Sequence, residues 1–194
     1  MIEQVRVERL TRSIARSFTL PAAFSGCCIR CMQPKYGNRL DAFSGEGSRE
    51  ASGRFHGKGE LVIVYTSTDL KTAEWEYSNT ARSSGLNITS LLPYIIIGAD
   101  VTLSKVLDLS DALVRERLGV TLAEVRSVRW DASPDQTLTQ IIGRLAYEAK
   151  FEAILAPSRG GGLNLNIFRQ NLLPDSSIEI INEDKLPAPG VAVR

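Results

Sequence analysis

Apolar and polar positions recur with two different periods along this chain, and the switches between them mark its elements. Leu10, Ile14 and Phe18 stand at helical spacing, which predicts a short amphipathic helix over residues 10–18. GCCIRCM then alternates with period two. It predicts a strand over residues 27–32 with Cys27, Ile29 and Cys31 facing a core and Arg30 facing the other way. LVIVYTS (61–67) is β-branched and apolar and runs into turn residues, the pattern of a buried strand. Thr68 or Asp69 caps a helix reaching about Thr80, with Leu70, Ala73 and Tyr77 on one face. LPYIIIGADVTL and KVLDLS read as two further strands, and residues 111–117 as a short helix. In SPDQTLTQIIGRLAYEAK, Ser133 is the expected cap and Pro134 the first helical residue. Leu138, Ile141, Ile142 and Leu145 form its inward stripe. AILAPS (153–158), LNLNIF (163–168) and SIEIIN (177–182) complete the series as strands.

Six or seven strands with three or four helices, lacking regular β-α-β alternation, favour a mixed α+β fold over a Rossmann sheet. The expected core is a mixed, mainly antiparallel sheet with flanking helices. At 194 residues the chain suits one domain, 1–194, with its core over about 26–182. Apolar residues are 43% of the chain, enough for a real core, and the net charge of +1 argues against direct nucleic-acid binding. The stretch MIEQVRVERLTRSIARSF carries arginines without a continuous apolar run, so it is not a signal peptide. IIIGADV is far too short to span a membrane, and a cytoplasmic location is expected.

The three cysteines lie together in GCCIRCM. A closed zinc site needs four ligands, and beyond these three only His56 is offered, so the strand reading of Cys28 and Cys31 is preferred. Residues 33–59 form a long loop rich in Gly, Ser and charge. Within it FSGEGSREASGRFHGKGE concentrates five glycines, Arg49, Arg54, Lys58 and the single histidine. Long ordered loops in compact domains are usually functional. A backbone passing close to an anionic ligand is the reading that accounts for both the glycines and the arginines.

Several polar residues interrupt or end otherwise apolar strands: Arg30, Tyr65, Ser158 and Asn164, with Glu76 on the helix after Tyr65. Taken singly, each has an ordinary explanation in surface exposure or half-buried packing. GEGS and GGG lack the following helix that a dinucleotide fingerprint or a P-loop requires. There is no G-x-S-x-G elbow, no H-E-x-x-H and no paired acidic cluster, so the available chemistry is arginine, tyrosine and a carboxylate without a metal.

In order, IR (29–30), GSREASGRF (47–55), VYTS (64–67), TAEWE (72–76), APSR (156–159) and LNLNIF (163–168) resemble the RES domain. The resemblance covers most of the chain, and its specificity lies in the order of six short motifs. It implies a fold similar to ADP-ribosyltransferases and an enzyme that destroys NAD, the toxin of a bacterial toxin–antitoxin pair. Arg30, Tyr65, Glu76 and Ser158 are then the catalytic residues. Arg30, Gly53, Arg54, Tyr65, Ser158 and Asn164 contact NAD, which is a substrate, and no metal takes part. The partner is an antitoxin of the DNA-binding repressor type; a homodimer is compatible with the reading, and neither nucleic acid nor membrane is contacted. Where family members commonly carry Trp-Asn after the Gly-Arg, this chain has Phe55-His56. The chemistry suits the residues. Arginine matches phosphate oxygens bidentately, Tyr65 stacks on nicotinamide, and Glu76 stabilises an oxocarbenium-like ribose or orients its hydroxyls and an acceptor. A protein ADP-ribosyltransferase and a non-catalytic NAD sensor are the alternatives. Water, inorganic phosphate and a protein side chain all remain open as the acceptor.

Overall fold

The computed structural model describes residues 4–15, 21–83, 85, 87–127 and 136–189. Phe18, Ser133 and Pro134 therefore lie outside the described residues. Its longest pairing joins β1 (Pro21–Met32) to β3 (Ile95–Asp108), antiparallel from Pro21↔Leu107 to Met32↔Ile95. The end of β3 runs parallel to β4 (Ala153–Pro157), which pairs antiparallel with β5 (Leu163–Ile167). β5 pairs antiparallel with β2 (Val64–Ser67), and β2 meets β1 through the single pair Ile29↔Ser67. The pairings thus close into a ring, with β6 (Ser177–Ile180) outside it on β3. Only β3–β4 is parallel, so the mixed, mainly antiparallel expectation agrees with the observed sheet.

Cys28 and Met32 of β1, Val64 of β2, Val101 of β3, Ala153 of β4 and Ile167 of β5 share one apolar cluster. A second cluster lies between Leu107, Ile154 and Ala156 of the sheet and four helices. These are α1 (Gln4–Ala15), α3 (Ala112–Leu118), α4 (Leu122–Val125) and α5 (Leu138–Glu148). α2 (Leu70–Ser83) packs separately across β1 and β2. Its N-terminus is held by Asp69, whose carboxylate accepts from the Thr72 amide (2.8 Å) and hydroxyl (2.7 Å).

Several expectations need correction. β1 begins at Pro21, and its phase is inverted: Cys28 and Met32 face the ring cluster, whereas Cys27 is exposed and Ile29 and Cys31 are half-buried. Arg30 shares the inward phase because Phe43 and the Ala42 carbonyl, both from the long loop, receive it there. The segments 92–103 and 105–110 do not form two strands; β3 is continuous. The polar pair Ser104-Lys105 interrupts the apolar pattern, but the buried Glu152 carboxylate accepts from both amides at 2.8 Å and satisfies the backbone there. Of LVIVYTS only the last four residues pair, although Leu61, Val62 and Ile63 are buried. Leu70 is exposed rather than inward. α5 is capped by Thr137, which forms a reciprocal capping box with Gln140, because Thr137 already has extended backbone angles.

Candidate active site

The ring is weakest where β1 and β2 share one residue pair, and a cavity of about 420 Å³ opens beside it. One wall is the ends of β1, β2 and β5 with α2; the other is the glycine-rich loop. Period-two geometry puts Tyr65 and Ser67 on one side of β2, and Asn164 and Asn166 on the matching side of β5. α2 then brings Glu76 over this polar surface. Its Oε1 accepts from Ser158 Oγ (2.7 Å) and Asn164 Nδ2 (2.6 Å). The other end of the Asn164 amide accepts from Ser67 Oγ at 2.9 Å. Three short side chains from three strand ends thereby fix one carboxylate.

Ser158 is fully buried and starts a tight loop: its amide donates to Gly162 O (3.1 Å), and its Oγ accepts from the Gly160 amide (3.0 Å). Gly160 must be glycine. A Cβ there would stand 2.4 Å from Cγ of Trp75, the residue before Glu76.

On the loop wall, Arg54 Nη2 donates to the Val125 carbonyl and to Pro157 O (2.9 Å). Its Nε is buried without an acceptor. Burial lowers the pKa of Arg54 to about 10, Glu76 and Tyr65 oppose that shift and Arg126 adds to it; burial also lowers Arg30 to about 10. Both guanidiniums stay charged at neutral pH.

His56 is buried and holds the loop to β2. Its Nε2 lies 2.7 Å from Ser48 O, so that nitrogen carries the proton, and burial lowers the imidazole's pKa. Nδ1 is then the acceptor for the Tyr65 hydroxyl at 2.9 Å. The Tyr65 oxygen accepts in turn from the Phe55 amide (3.2 Å), and burial raises the phenol's pKa. A Cβ on Gly53 would come 2.4 Å from both His56 Cε1 and Tyr65 Oη, so this glycine makes room for the histidine–tyrosine pair. The His56 departure thus fills an inward, loop-holding position.

Of the residues singled out in the sequence, Arg30, Gly53, Arg54, Tyr65, Glu76 and Asn164 line the cavity. Ser158 stands behind Glu76 as its donor. Sequence reasoning missed Ser67, Trp75, Arg126, Asn166 and Arg159, all at the cavity wall. Ser67 and Asn166 lie two residues from Tyr65 and Asn164, a period-two signal that was available. Arg159 adjoins Ser158, whereas Arg126 has no local signal. Among the described residues no three His, Cys, Asp or Glu side chains gather as a metal-binding group. No described helix is long and apolar enough to cross a membrane.

The RES domain family model matches residues 28–187. The chain belongs to the RES domain family. This RES domain is 26% identical over 141 residues to proteins named NAD(+) phosphorylase MbcT from Mycobacterium tuberculosis (strain ATCC 25618 / H37Rv) and Mycobacterium bovis (strain ATCC BAA-935 / AF2122/97). Those matches cover 71% of this chain and 73% of each relative. In fold it is similar to a chain in the crystal structure of the M. tuberculosis MbcT–MbcA toxin–antitoxin complex. The TM-score is 0.64 at 21% identity, over 94% of this chain and 92% of that one.

Proposed function

We propose that this RES domain breaks the bond between nicotinamide and ribose in NAD without a metal, as the toxin of a toxin–antitoxin pair in the bacterial cytoplasm. The observation that carries the reading is the Glu76 carboxylate, fixed by Ser158 and Asn164 in a cavity that also presents Arg54 and Tyr65. A cationic sugar centre needs a negative charge held in place before the bond breaks, and the two donors hold it. Arg54 supports the diphosphate role: its Nε is a buried donor lacking an acceptor, which a phosphate oxygen would supply. The Tyr65 ring is locked through its hydroxyl and offers a face to the nicotinamide. We take inorganic phosphate as the acceptor, in line with the name of the relatives. The similar fold in a toxin–antitoxin complex supports a separate protein that restrains the enzyme by covering the cavity.

The test is chromatography of NAD incubated with the purified protein, with and without inorganic phosphate. Nicotinamide and a phosphorylated ADP-ribose are expected. NAD left intact by the folded protein would reject the reading.

A further inference from the structure

Two arginines at the cavity wall, Arg126 and Arg159, have no role in the site as described. Both are exposed, but the backbone beneath each is fixed. Arg126 closes α4, its amide bonded to Leu122 O at 3.0 Å, and the preceding Val125 carbonyl accepts from Arg54. Arg159 sits between Ser158, tied to Gly162 and Glu76, and Gly160, pressed against Trp75. Arg54 Nη2 also bonds Pro157 O, so one nitrogen joins the two segments that carry Arg126 and Arg159. Neither arginine forms an ion pair among the described residues.

Charge around the cavity is lopsided. Four guanidiniums (Arg30, Arg54, Arg126 and Arg159) face one carboxylate, Glu76. NAD brings two negative phosphates and one positive ring, which leaves roughly two positive charges without a counterpart. A phosphate group carries about 1.5 to 2 negative charges at pH 7. Gathering like charges is unfavourable unless an anion joins them, and guanidinium suits a phosphate's oxygens.

Building on the NAD-cleaving reading, we propose that Arg126 and Arg159, together with the edge of Arg54, hold the acceptor phosphate. A phosphate oxygen forms the new bond to ribose C1″ as the C1″–nitrogen bond breaks. The electron pair of the broken bond returns to the ring nitrogen, and nicotinamide leaves neutral. The proton that hydrogen phosphate carries stays on the ester product until it equilibrates with solvent, so no protein group must take it.

Nicotinamide release, measured with phosphate varied at saturating NAD and then with NAD varied at saturating phosphate, tests the assignment. The parent rate is expected to rise with phosphate and saturate. Arg126→Ala and Arg159→Ala should each raise the KM for phosphate about tenfold, the loss of one charge-assisted contact, with the KM for NAD within about twofold. Arg159→Lys should recover part of the loss. An unchanged phosphate KM overturns the assignment, and so does an increase confined to the NAD KM, which would seat the diphosphate there instead. A parent that releases nicotinamide equally well without phosphate overturns it too, while leaving NAD cleavage standing. A folded parent inert toward NAD at every phosphate concentration overturns both readings.

Discussion

The wall that carries Glu76 and the wall that carries Arg54 hold their polar groups by opposite means. On the first, side chain meets side chain: Ser67 to Asn164, Asn164 to Glu76, Ser158 to Glu76. On the second, His56 to Tyr65 apart, side chain meets backbone: Arg54 to two carbonyls, His56 to Ser48 O, and Gln140 Nε2 to the carbonyls of Gly53 and His56, each at 3.1 Å. Changing Ser67, Glu76 or Asn164 on the first wall alters a charge or a donor and leaves the chain path alone. On the second wall a substitution releases a stretch of backbone. The first wall should therefore govern turnover, and the second should govern binding.

The sharpest test is Glu76→Gln. The amide keeps an oxygen for Ser158 and Asn164 but loses the charge, so turnover should fall about 100- to 1000-fold with the KM for NAD within about threefold. Nicotinamide release and thermal unfolding measured together would show this; a matching rise in KM would break the division. Asn164→Ala removes a Glu76 donor and leaves the buried Ser67 hydroxyl without its acceptor. Turnover should fall about 10- to 100-fold, and stability to urea by about 1–3 kcal/mol. Gly53→Ala tests the other wall. Its methyl would sit 2.4 Å from His56 and Tyr65, so the loop must shift. We expect a loss of about 1–3 kcal/mol and a raised KM for NAD, with a smaller change in kcat. An unaltered KM would dissolve the contrast between the walls.

The smallest effect concerns pH. Burial holds the His56 imidazole below its ordinary 6.5, so the folded protein binds that proton less readily than the unfolded chain. Stability from this group is complete above about pH 6.5 and declines as pH falls through that value toward the folded pKa. His56 is the only histidine in the sequence, so His56→Asn should flatten the change in urea midpoint between about pH 7.5 and 5.5. An equal slope in the variant would mean that other groups carry it.

Much of this arrangement was legible before any coordinates. Six strands, a helix cap at Thr68 or Asp69, and the Glu76 donors Ser158 and Asn164 follow from spacing and motif order. The failures share a cause: a distant side chain satisfied what local chemistry left open. Alternation in GCCIRCM fits both phases, and Phe43 with the Ala42 carbonyl made the phase containing Arg30 the inward one. Ser104-Lys105 looked like a break because Glu152, which serves both amides, lies 47 residues from Lys105. Arg126 gained its position through Arg54, whose bond to the Val125 carbonyl spans 71 residues. No window along the sequence contains such pairs.

The wide spacing also sets an order of events during synthesis. Glu76 waits 82 residues for Ser158 and 88 for Asn164, and ring closure through β5 waits for the same stretch. At bacterial to eukaryotic elongation rates of about 5–20 residues per second, the later donor is added roughly 4–18 s after the carboxylate. Contacts this far apart also form late in folding, because the loop between them must close first. Throughout that interval the nascent chain carries the glutamate without Ser158 and Asn164, so the cavity is completed only when the last strands are added.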